Sequence, residues 1–161
     1  VGTPHLLHAL SENGYTDLAY DLLFQESAPS WLYSVLHGAT TMWEHWDSIR
    51  EDGSFWSTDM NSFNHYAYGA EYDWIFGVAV GIQPAAPGYA EITLAPHPDR
   101  RLGFADASIE TRFGTVRVHW YYKEQRVYYE ITVPQGVTAQ LHLPGGYAET
   151  LLPGSYCFAE A

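Results

Sequence analysis

Pro84-Ala85-Ala86-Pro87-Gly88 divides the sequence, because hydrophobic residues keep one period before it and another after it. Downstream they alternate: Ile92 and Leu94; Ala107 and Ile109; Val116, Val118 and Trp120; Val127, Tyr129, Ile131 and Val133; Val137, Ala139, Leu141 and Leu143. A period of two places one face of a strand in a core. Turn signals separate the runs at Phe113-Gly114, Pro134-Gln135-Gly136, Pro144-Gly145-Gly146 and Pro153-Gly154. Short strands at this spacing predict an antiparallel sandwich or jelly roll of about seven strands.

Upstream the pattern is helical. Thr3 is placed to cap a first helix with Pro4 at its first position, Leu6, Leu7 and Leu10 at helical spacing, and Asn13-Gly14 as its stop. Thr16 opens a second helix with Leu18, Ala19, Leu22 and Leu23 on one face and Pro29 past its end. Trp31 to Leu36 reads as extended, and Ser48 to Met60 as loop around Asp52-Gly53-Ser54. A third helix is expected from Asn61 or Ser62 to about Ile82, apolar on most faces, with Gly69, Gly77 and Gly81 explained by close packing. Helices followed by strands give an α+β chain in two parts, a helical segment over 1–83 and a sandwich over 84–161.

Composition narrows the function. Of 161 residues 47% are hydrophobic and 16% charged, a globular balance. A net charge of −12 and the lack of a basic patch argue against nucleic acid and anionic membranes as partners. No apolar run is long enough to span a bilayer. The one cysteine, Cys157, excludes an internal disulfide framework. Six Trp and thirteen Tyr exceed what a core needs and favour the handling of sugars or other flat ligands, or a large aromatic interface.

The segment with most chemistry is Gly38-Ala39-Thr40-Thr41-Met42-Trp43-Glu44-His45-Trp46-Asp47. A carboxylate flanked by two indoles is costly to bury unpaired and wasteful to expose. Indole faces beside an acid suit a sugar, whose apolar face stacks while the acid meets a hydroxyl or a water. The same four residues also suit a structural core. His5 and His8 share a helix face without a third metal ligand, so no metal is expected.

With Asn61-Ser62-Phe63-Asn64-His65-Tyr66-Ala67-Tyr68-Gly69-Ala70, Trp74 and Val80-Gly81-Ile82, this motif resembles the C-terminal part of bacterial alpha-L-rhamnosidases of glycoside hydrolase family 78. The resemblance implies the last helices of an (alpha/alpha)6 barrel, then a beta-sandwich, and inverting release of terminal alpha-L-rhamnose without a cofactor. It assigns Glu44 as general base and His65, Trp43 and Trp46 to the substrate, with Asp47 and His45 in support. His45 stands where the family has Arg. The family's general acid lies in an earlier barrel segment, and none of the acids in this chain is assigned to that role. The chain opens on Val1 with no Met. The expected partners are a rhamnose-containing glycoside or oligosaccharide and either a second copy or a preceding part of the same protein. The alternative is a non-catalytic carbohydrate-binding or interaction module centred on the sandwich.

Overall fold

The computed structural model describes residues 2–161, so Val1 lies outside the described residues. Two compact units divide between Trp74 and Ile75. The first holds helices α1 (Thr3–Glu12), α2 (Thr16–Leu23) and α3 (Trp31–Leu36), then a long loop, a 3-10 turn over Tyr66–Ala70 and the single turn α4 (Glu71–Trp74).

The helical hairpin forms where its punctuation places it, with different caps. Gly2 and Tyr15 occupy the N-cap positions, neither with a side-chain bond, and Thr3 and Thr16 are the first helical residues. The turn closes through Gly14 in the left-handed region. Leu7, Ala19 and Tyr20 are buried whereas Leu6 and Leu18 are exposed, so the core stripe is narrower than the leucine spacing suggests. Trp74 anchors this unit. It is fully buried, its indole N–H donates to Ser11 Oγ at 2.8 Å, and Tyr20 meets it edge-on at 4.9 Å.

Two expectations are corrected here. Trp31–Leu36 is helical, capped by Ser30, whose hydroxyl accepts from the Tyr33 N–H at 3.0 Å. That cap supplies the start signal which a six-residue run lacks. The long third helix does not exist: residues 61–65 are irregular, with bends at Phe63 and Asn64, and the 3-10 turn, α4 and a π-helical turn over Ile75–Ala79 follow in series. Gly69, Gly77 and Gly81 fall within or just after these pieces and lower helix propensity. Close packing explains only Gly81, where a Cβ would lie 2.3 Å from the Ala95 carbonyl carbon; at Gly69 and Gly77 the nearest atoms are 3.9 and 4.0 Å away.

The second unit holds eight strands: β1 (Ile82–Pro84), β2 (Glu91–Leu94), β3 (Phe104–Thr111), β4 (Gly114–Lys123), β5 (Arg126–Val133), β6 (Thr138–His142), β7 (Ala148–Leu151) and β8 (Gly154–Glu160). They form two four-stranded sheets, β1-β2-β6-β7 and β3-β4-β5-β8. Every pairing is antiparallel except β2 with β6. The β3-β4-β5 meander of sequential neighbours sets it apart from a jelly roll. Pro84 ends β1, which pairs with β2, while the Ala85 and Ala86 N–H groups both donate to the Glu91 carbonyl. The Pro84–Gly88 segment is therefore a connection inside the sheet unit and not a linker between units.

Alternation builds the core as expected. Ile92, Leu94, Ala139, Leu141 and Leu151 from one sheet meet Val116, Val118, Trp120, Tyr129 and Ile131 from the other. Each large aliphatic side chain contributes about 1.5–3 kcal/mol on burial. Trp120 is fully buried and its indole N–H donates to the Ala79 carbonyl at 2.8 Å. Gly81 turns the chain from the π-helical turn into β1 with φ at 83°.

Gly81→Ala should therefore destabilise the sheet unit by about 3 kcal/mol, combining backbone strain with a clash against backbone. Gly77→Ala should change stability by no more than about 1 kcal/mol. Urea unfolding of both variants checks this, and equal effects would refute the steric account of Gly81.

Candidate active site

Residues 41–44 and 62–65 are two irregular segments laced together by hydrogen bonds. The Glu44 N–H donates to the Ser62 carbonyl at 2.9 Å and the His65 N–H to the Met42 carbonyl at 2.8 Å. The Thr41 hydroxyl donates to the Phe63 carbonyl. The Ser62 N–H in turn donates to Glu44 Oε2 at 2.8 Å. The lacing places Glu44 and His65 on neighbouring backbones. It also fixes one carboxylate oxygen with a backbone donor, a bond stronger than a neutral one because the acceptor is charged.

Below Glu44 a tight turn is built on Ser48, which is fully buried. Its hydroxyl accepts from the His45 N–H at 3.2 Å and donates to the His45 carbonyl at 3.1 Å. Its carbonyl accepts from the Trp56 N–H at 3.1 Å and from Asn61 Nδ2 at 2.9 Å. The His45 ring stacks on Trp56 with centroids 3.6 Å apart, and its Nε2 is a buried atom with no partner among the described residues. His45 is thus packed against an indole.

The two indoles of the motif differ. Trp43 is 4% exposed, with its ring edge-on to Phe63 at 5.7 Å, so it belongs to the interior. Trp46 is half-buried, stacked on Tyr68 at 3.9 Å and edge-on to Trp31 at 5.1 Å. The Trp31 indole N–H donates to the Tyr68 carbonyl at 2.7 Å, which ties α3 to the segment after His65. Asp47 lies 3.9 Å from Arg50, a solvent-screened pair of small energetic weight. Asp52 accepts from the Ser54 N–H at 2.9 Å and belongs to its turn. His37 stacks on Tyr33 at 3.9 Å. His8 pairs with Asp73 at 2.9 Å, and no cluster of three metal-ligating side chains occurs among the described residues.

Residues 1–79 match the family model described as the bacterial alpha-L-rhamnosidase 6 hairpin glycosidase domain, and residues 81–154 that of the bacterial alpha-L-rhamnosidase C-terminal domain. The chain belongs to the bacterial alpha-L-rhamnosidase family. It is 42% identical over 151 residues to an alpha-L-rhamnosidase of Formosa agariphila, covering 94% of this chain and 16% of that protein. It is 40% identical over 149 residues to one of Streptomyces avermitilis, covering 92% of this chain and 14% of that protein. The crystal structure of Streptomyces avermitilis alpha-L-rhamnosidase complexed with L-rhamnose superposes with a TM-score of 0.93 at 35% identity, over 99% of this chain and 17% of that one. Native alpha-L-rhamnosidase from Aspergillus terreus gives 0.93 at 35% identity, over 98% of this chain and 19% of that one. The chain thus spans about a sixth of the length of these rhamnosidases.

Within this family segment, sequence reasoning missed the parts that hold the motif in place. Ser62, Asn61, Ser48 and Tyr68 act through backbone groups or loop hydrogen bonds, which leave no periodic signal. Glu71, which the sequence places at an exposed edge or in a pair, is half-buried. It lines a cavity of about 330 Å³ with Trp31, Thr41 and Met42, and its Oε2 is buried without a partner among the described residues. Burial raises its carboxyl above the usual range, against a weaker lowering by its own backbone and Trp31.

A carboxyl that holds its proton more tightly when folded favours the folded state below its unfolded pKa. That contribution is lost as pH rises through the folded value. Glu71→Gln should therefore stabilise the helical unit at about pH 7 and lose this advantage near about pH 3, where Glu is protonated in both states. Unfolding midpoints at the two pH values test this; an equal gain at both would exclude the burial cause.

Proposed function

We propose that the helical unit, ending at Trp74, supplies the water-activating side of an alpha-L-rhamnosidase active site, with Glu44 as general base. The observation that carries this is the lacing that puts Glu44 and His65 on adjoining, hydrogen-bonded segments while Ser62 fixes Glu44 Oε2. A base must point one oxygen at its water without wandering, and a carboxylate clamped through its other oxygen meets that need. In this reading the sugar lies over Glu44, His65 bonds one of its hydroxyls, and Trp46 contributes to the wall. Trp43 packs in the interior. His45 and Asp47 support the turn and do not touch the sugar.

Inverting hydrolysis needs a second carboxyl about 6.5–9.5 Å away on the opposite face of the ring to protonate the leaving oxygen. No acid of this chain is assigned that role, and the acid belongs to barrel elements contributed by another part of the same protein. The 161-residue chain by itself is then a half-site that retains affinity for rhamnose without turnover.

A second reading, in which the sandwich binds carbohydrate, has one observation in its favour. An open cleft of about 660 Å³ runs between Pro98, Arg100, Tyr122, Pro144 and Glu160. Its lining mixes a guanidinium, a carboxylate and apolar rings, as saccharide sites do.

Calorimetric titration with L-rhamnose separates the two. The half-site reading expects His65→Ala to weaken binding by about tenfold, the loss of one to two kcal/mol of hydrogen bonding. Arg100→Ala should leave it unchanged. The reverse pattern would transfer the function to the sandwich. Hydrolysis of an aryl alpha-L-rhamnoside by this chain alone, abolished by Glu44→Gln, would show that it contains its own acid.

A further inference from the structure

We infer that Asn61 is a positioning residue for Glu44, a role that rests on the reading of Glu44 as the base. Glu44 is held from two sides. On one side is Ser62, which exchanges the backbone bond and the carboxylate bond with it. On the other is the turn at His45, closed by the buried Ser48 hydroxyl. Asn61 joins the two, because it precedes Ser62 and its Nδ2 donates to the Ser48 carbonyl at 2.9 Å, across 13 residues of sequence. The link cuts the freedom of the loop between them, so the amide of Ser62 stays aimed at Oε2.

The side-chain type is specific. The Ser48 carbonyl is an acceptor, so the group facing it must donate; Asp would set acceptor against acceptor, and an aliphatic residue would leave only the Trp56 N–H on that carbonyl. Asn61 does this while its own Oδ1 is buried without a donor among the described residues. An unpaired buried acceptor is unfavourable. It is tolerated here because the opposite end of the same amide holds the clamp. Cross-segment bonds of this kind, made by a group that never touches substrate, commonly set the aim of a reacting side chain.

Amide hydrogen exchange on the full 161-residue chain tests the proposal without requiring turnover. Asn61→Ala should lower protection of the Ser62 and Glu44 amides by about tenfold or more, while amides of α1, α2 and the sheets keep theirs. Glu44→Ala should also lower protection at Ser62, and the Asn61→Ala/Glu44→Ala double variant should add little to either single change. Ser48→Ala retains the carbonyl that Asn61 binds, so it should free the His45 amide and leave Ser62 protected. Unchanged Ser62 protection in Asn61→Ala would overturn the proposal. So would a loss spread evenly over α1 and α2, or additive effects in the double variant. Failure of the base assignment shows separately: with the rest of the barrel supplied, rhamnoside hydrolysis that Glu44→Gln leaves intact would remove Glu44 from the chemistry, whatever the exchange pattern.

Discussion

The helical unit depends on one reciprocal contact, in which the Glu44 N–H donates to the Ser62 carbonyl and the Ser62 N–H donates to the Glu44 carboxylate. Neither segment has regular secondary structure to fix it. The pairing instead comes from main-chain groups that need partners once the Trp43 and Phe63 rings draw them out of water. The contact is therefore both a structural closure and an aiming device. The aromatic cluster of Trp31, Trp46 and Tyr68 then locks the neighbouring chain by shape, and the indole of Trp31 adds a directional bond.

The sandwich was legible in the sequence because its physics is periodic. Val116, Val118 and Trp120 alternate with outward residues, and all three are fully buried. The turns carried Gly or Pro in most places. One did not: β4 and β5 join through Glu124 and Gln125, and Glu124 takes a positive φ that its identity does not announce. β1 was hidden for a related reason. Three residues ending in Pro84 give no alternation to read, and the strand exists only because β2 pairs with it.

The helical half was less legible, and the candidate site least of all. Trp31–Leu36 lacks a helical period over six residues, and the apolar density that suggests a third helix is spread over an irregular stretch, a 3-10 turn, a single α turn and a π-helical turn. Tyr66 shows the gap plainly: an apolar ring counted toward a buried helix is 91% exposed. The motif around Glu44 could be recognised because its residue types are unusual together. Its support could not, since Ser48 and Asn61 act through hydrogen bonds between segments 13 residues apart. Trp43 and Trp46, equivalent in the motif, are told apart only by what packs on them.

The bond from Trp120 to the Ala79 carbonyl also bears on how the sandwich can be made as a separate piece. The strand-forming half begins, chemically, before its first strand. Ile75–Ala79 supplies the acceptor for a fully buried indole, and Gly81 carries the chain into the edge of the sheet. An excision starting at Pro84 would discard most of β1, orphan the indole N–H in the core and bare the edge of β2. A cut at Ile75 keeps acceptor, turn and edge strand together, so the natural unit of expression is longer than the change of hydrophobic period suggests.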